Sequence, residues 1–247
     1  MIGEPGPTQA DLHFRLFGIP VRIHPFFWVV AVLLGATGGD TDPVDLLIWV
    51  VAVFVSILIH EFGHALTARY FGAEPWVTLY SFGGLASYHP MRHDSRITIL
   101  ILAAGPGAGF LFLALVLAVV YGAGYDVQVV PSMPWIWVEP IANPNLYLLV
   151  ENLVFINLFW GLVNLLPIYP LDGGQIAREL FMRFDLRDGI RNSLYLSMAC
   201  AVGMAIYGGL QLQSVFIALM FGFLAFSSYQ MLQQMQGRGG WGGPRGW

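Results

Sequence analysis

Six apolar runs alternate with short polar intervals along the chain, at about residues 25–36, 46–71, 97–121, 146–166, 194–207 and 215–232. In the second, Asp45 and Arg69 enclose 23 residues, ~35 Å of helix at about 1.5 Å per residue and enough to cross a bilayer. The first run is short for a span, and residues 19–23 are expected to lengthen it at its start. The fifth and sixth are joined by a Gly-Gly-containing turn, and no internal repeat is present. This pattern predicts an all-α, polytopic integral membrane helix bundle with six transmembrane helices. Residues 74–90 (EPWVTLYSFGGLASYHP), between the second and third runs, are β-prone and interrupted by Gly83-Gly84. They predict a strand or hairpin dipping toward the membrane, with a plain interfacial loop as the alternative. Residues 127–145 form a loop rich in Pro and Trp, read as interfacial anchoring.

Composition agrees with lipid as the solvent. Hydrophobic residues make up 57% of the chain and charged residues 11%, against about 25% charged in an ordinary soluble domain. All eleven basic residues are Arg. They lie before the first run, between the second and third, between the fourth and fifth, and after the sixth. The intervening loops carry Asp40, Asp42, Asp45, Asp126 and Glu139 and no basic residue. Six spans place every Arg on one side and five would not, so the positive-inside rule makes both termini cytosolic. No basic cluster points to nucleic acid. The lone Cys200 excludes an intramolecular disulfide. The polar, Pro/Gly-rich start lacks the order of a signal peptide. Residues 1–236 are read as one transmembrane domain with its core at about 46–175, and 237–247 as a Gly-rich disordered tail. A homo-oligomer is compatible with the sequence.

The second run contains His60-Glu61-Phe62-Gly63-His64, the H-E-x-x-H pattern. On a helix, residues four apart share a face, so both imidazoles can bind one Zn²⁺ with the glutamate beside them. A catalytic zinc keeps one position for water and lowers its pKa toward 7; the glutamate can then carry the water's proton to a leaving amine. Between Asp45 and Arg69 these are the only ionisable side chains. A charge in mid-membrane costs roughly 3 kcal/mol, so the three need a stabilising partner: a metal, or a proton or ion pathway. Helix rise places His60 ~21 Å from the outer end of the span and ~13 Å from Arg69, inside the bilayer but nearer the cytosol. A third ligand belongs at similar depth on another helix. The fourth run closes with Asn164-Leu165-Leu166-Pro167-Ile168-Tyr169-Pro170-Leu171-Asp172-Gly173-Gly174, and Asp172 is the one carboxylate there. Alone it reads as a helix-stop carboxylate facing water; beside His60 and His64 at matching depth it reads as a ligand.

H-E-x-x-H on one span, with N-x-x-P-x-x-P-L-D-G-G ending a later one, resembles the site-2 protease family of intramembrane zinc metalloproteases, over roughly residues 18–185. The resemblance implies that His60, His64 and Asp172 bind zinc, with Glu61 as general base. It implies a core of the second to fourth spans and a single-span membrane protein as substrate, cut near the cytosolic face of a bacterial inner membrane. The Gly83-Gly84 loop resembles the family segment that pairs with unwound substrate by strand addition. Ala104-Gly105-Pro106-Gly107-Ala108-Gly109 resembles a family motif that often carries Asn where Gly109 stands. With no insertion for a PDZ domain and no room for a regulatory domain, the chain resembles a minimal member.

Asn157 and Asn164 lie seven residues apart on the fourth run, roughly on one face. Asn164 is read as a substrate or oxyanion contact; Asn157 is divided between that and interhelical hydrogen bonding. His13, His24, His89 and His93 are read as surface or interface residues. A transporter would need polar residues continuing outward from His60, and residues 46–59 offer only Ser56. A catalytically dead scaffold would have lost a ligand or the base, and none is replaced.

Overall fold

The computed structural model describes residues 5–36, 42–81, 83–89, 94–130, 135–185 and 188–238. Packing divides the chain into two compact units, Met1–His93 with Ala104–Leu162, and Asp94–Ala103 with Val163–Trp247. Among the described residues, five helices are long and apolar enough to cross a membrane: α2 (Pro43–Tyr70), α3 (Ser95–Gly122), α4 (Pro144–Asn164), α6 (Gly189–Leu210) and α7 (Val215–Arg238). The chain is a multi-pass membrane protein. α7 ends at Arg238, and residues 239–247 of the expected tail lie outside the described residues.

In the first unit, α1 (Pro25–Gly35) has 11 residues, ~16 Å of helix against a hydrocarbon core of about 30 Å. The expected lengthening through residues 19–23 does not occur, because Ile19–Ile23 is a strand, β2. Its alternation buries Ile19, Val21 and Ile23 on one face, a period-two pattern that a helix cannot use. The all-α expectation is corrected accordingly. A four-stranded sheet runs β1 (Leu12–Leu16), β2, β3 (Pro75–Tyr80) and β4 (Gly83–Tyr88) in that order. β1–β2 and β3–β4 are antiparallel, whereas β2 and β3 pair in parallel, with Val21 opposite Val77 and Ile23 opposite Leu79. The buried face meets Phe27, Ile57 and Phe62 in one core. At the start of the sheet, hydrogen bonds from the Thr8 hydroxyl and amide hold the Asp11 carboxyl below its ordinary value, with Arg22 3.5 Å away adding to the effect.

α2 is bounded by local chemistry. The Asp42 carboxylate accepts from the Val44 amide at 2.7 Å and Pro43 occupies the first turn. Gly72 at φ +86° then ends the helix, with the Ala73 amide returning to the Ala68 carbonyl at 3.1 Å. The Trp49 indole donates to the Ala31 carbonyl at 3.0 Å, tying α2 to α1. The Pro/Trp-rich loop holds a hairpin of β5 (Val127–Val130) and β6 (Trp135–Val138), closed at its base by two 2.9 Å bonds between Asp126 and Glu139.

In the second unit, α5 (Asp172–Phe184) precedes the α6–α7 pair. α6 and α7 pack through Ala201 and Phe221, and their buried serines, Ser197 and Ser228, hydrogen-bond at 2.9 Å.

Candidate metal centre

His60, Glu61 and His64 lie on the inward side of α2, and all three are buried. The one-turn separation brings His60 Nε2 to 3.2 Å from His64 Nε2, with the rings at 78° to each other. Two nitrogens of a tetrahedral zinc shell, each about 2.05 Å from the ion, stand ~3.3 Å apart. The separation of the imidazoles fits two ligands of such a shell.

Small residues make room for them. A β-carbon at Gly63 would stand 2.8 Å from the Ala108 β-carbon, so glycine lets α2 and α3 cross closely. One at Gly105 would overlap the His64 ring, 2.7 Å from Cδ2. At Gly84 it would overlap the Glu61 side chain, 2.6 Å from Cδ. The expected hairpin is present, and Gly83 and Gly84 open β4 opposite Tyr80 and Leu79. The steric roles of Gly84 and Gly105 were missed from the sequence, although both residues stood in stretches that drew attention there.

Asn157 on α4 is buried; its amide donates to Ser56 Oγ on α2 at 2.9 Å and to the Leu153 carbonyl at 2.8 Å. With His60, Gly109 and Trp160, these two polar residues line a narrow recess. Among the other histidines, His24 caps α1 by accepting from the Phe26 amide at 3.1 Å. His13 Nδ1 lies 3.2 Å from the Asp11 carbonyl, and the His89 ring packs 5.1 Å from that of Trp76. His93 lies outside the described residues.

Asn164 is the last residue of α4 and is buried. Asp172, also buried, does not close that helix as expected but opens α5, where a carboxylate favours the positive end of the helix dipole. Between them, residues 165–171 fold into a tight turn. The Tyr169 backbone amide donates to Ser197 Oγ at 2.7 Å, and the Gln175 side-chain Nε2 donates to the Pro170 carbonyl at 3.0 Å. β-carbons at Gly173 and Gly174 would strike the backbone of Leu165 and Ile168. The two glycines therefore let the first turn of α5 fold back onto this segment, rather than simply breaking a helix. His60 and His64 on α2 of the first unit, and Asp172 at the start of α5 in the second, are each buried. Two imidazoles and a carboxylate, all buried, are a donor set that suits zinc.

The sequence model of peptidase family M50 matches residues 48–208. The chain belongs to peptidase family M50. It is 25% identical over 206 residues to a zinc metalloprotease of Methanocaldococcus jannaschii, covering 83% of this chain and 55% of that protein. It is 30% identical over 176 residues to stage IV sporulation protein FB of Bacillus subtilis, covering 67% of this chain and 49% of that protein. The chain thus spans about half the length of these curated relatives. The solved site-2 protease from Methanocaldococcus jannaschii has a similar fold, with a TM-score of 0.59 at 22% identity, covering 90% of this chain and 95% of that one. The paired histidines of α2 fall within the segment matched to the family.

Proposed function

We propose that this M50 chain is an intramembrane zinc endopeptidase that hydrolyses a peptide bond in or near a transmembrane segment, close to the cytosolic face. The observation that carries the reading is the 3.2 Å approach of two buried imidazole nitrogens with buried Glu61 on the same helix turn. His60, His64 and Asp172 would hold the ion. Bound zinc supplies Lewis acidity to the scissile carbonyl and acidity to a water molecule. Glu61 takes the proton of the attacking water and delivers it to the leaving amine. Burial of the three side chains keeps bulk water from them.

Among the described residues, β4 pairs with β3 alone and forms one edge of its sheet. An unwound substrate segment would add to this edge, passing Gly83 and Gly84, with Asn164 and Asn157 holding its backbone or the developing oxyanion. The substrate would be a single-span membrane protein; the arginine distribution supports cytosolic termini and product release on that side, and the family resemblance supports an inner-membrane setting. A six-span topology counts α1 as the additional crossing. An ion path along α2 has less support: outward of His60 it offers Ser56, whose oxygen already accepts from Asn157.

The test is Glu61→Gln in the full chain, reconstituted in vesicles with single-span reporter peptides. Zinc content is expected to stay at the wild-type level while cleavage falls by ~10²–10⁴-fold. Undiminished cleavage by this variant would overturn the mechanism.

A further inference from the structure

A cavity of about 480 Å³ lies beyond the last turn of α2, within the first unit and apart from the paired histidines. Small-molecule sites span about 300–1,000 Å³. Its walls are the β1–β2 turn, the end of α2 and the start of β3, and they carry Arg15, Arg69, Glu74, Trp76 and His89. Among the described residues, Arg15 and Arg69 have no carboxylate partner and Glu74 has no cationic one. The turn is shaped for this arrangement: Phe17 and Gly18 both adopt positive φ, at 50° and 77°. The Phe17 carbonyl thereby accepts a hydrogen bond from Arg69 Nη1, and one guanidinium is held at the wall with other N–H groups to spare. Phe17 and Tyr70, next in sequence to the lining residues Gly18 and Arg69, are 69% and 84% exposed, and tyrosine settles at the level of lipid headgroups.

We propose that this cavity is an anion site that takes a phosphodiester group. Guanidinium groups match phosphate oxygens in pairs, and Trp76 with His89 supplies a flat polarisable wall. Glu74 opposes a second negative charge, which favours a singly charged diester over a doubly charged monoester. The diester is either a lipid headgroup or a small soluble molecule entering from water.

The test uses the purified full chain in a maltoside detergent, which carries no phosphate. Calorimetric titrations compare dihexanoyl-phosphatidylglycerol, soluble glycerophosphoglycerol and inorganic phosphate. Binding of the lipid alone assigns a headgroup site, and binding of both diesters assigns a site for the diester itself. Affinity should fall about fivefold for each arginine removed in Arg15→Gln and Arg69→Gln, and should rise in Glu74→Gln. Arg15→Gln serves as the second variant because Arg69 also anchors the Phe17 carbonyl. Zinc content and monodispersity confirm that each variant is folded. Absence of binding by both diesters, inorganic phosphate binding as tightly as they do, or affinities unchanged in both arginine variants, would overturn the proposal.

Discussion

Gly84 of β4 lies directly against the side chain of Glu61. A β-carbon on residue 84 would stand 2.6 Å from Glu61 Cδ and 2.7 Å from Oε1, where unstrained non-bonded carbons sit about 3.5–4.0 Å apart. Only a residue without a side chain lets the edge strand run past the carboxylate. The same missing side chain sets the position of the proposed general base.

Gly84→Ala should therefore push Glu61 aside without touching the imidazoles. Cleavage is expected to fall by ~10²-fold, the cost of a misplacement of about 1 Å, with zinc content unchanged. Gly83→Ala should be milder, since its β-carbon meets the edge of Trp160 at 3.2 Å. Reporter-peptide cleavage and metal analysis of both variants check this. Wild-type activity in Gly84→Ala would show that the contact does not position Glu61.

Gly105 bears on the metal rather than the base. Its replacement by Ala overlaps the His64 ring, so the imidazole must leave its present position beside His60. Zinc affinity, measured by chelator competition, should drop by ~10–100-fold, as for other residues that orient a ligand. Gly107→Ala is the control, because among the described residues no atom beyond the neighbouring backbone of α3 lies within 4 Å of its added β-carbon. Equal losses in the two variants would point to a general effect on α3.

Ser56 and Asn157 separate packing from chemistry. Ser56→Ala removes one interhelical hydrogen bond, worth about 0.6 kcal/mol and at most about 1.7 in a membrane bundle. It should lower the unfolding midpoint in detergent slightly and leave zinc binding intact. Asn157→Ala loses the same bond, and should additionally slow cleavage if the amide reaches substrate. Identical cleavage by the two variants would make Asn157 a packing residue.

The local elements were legible because consecutive residues encode them. The i,i+4 spacing of His60 and His64 on an apolar helix specifies two imidazoles on one face whatever surrounds it, and their 3.2 Å approach follows. The five long helices were likewise visible as runs of apolar residues. The sheet was less so. Val21 and Val77 are partners in a parallel pair although α1 and α2 lie between them, and no local pattern announces such a pairing. In residues 19–23 the apolar content suggested more helix, whereas the alternation had a use only once β3 was beside it.

The sequence by itself determined the five long apolar helices, the candidate metal-ligand residue types and their spacing along α2. The tertiary structure decided that Asp172 opens a helix, that glycines at 84 and 105 make room for Glu61 and His64, and that Arg15 and Arg69 share a cavity. The physical reason is that helical periodicity arises from neighbours along one chain segment, whereas close approach depends on surfaces that distant segments bring together.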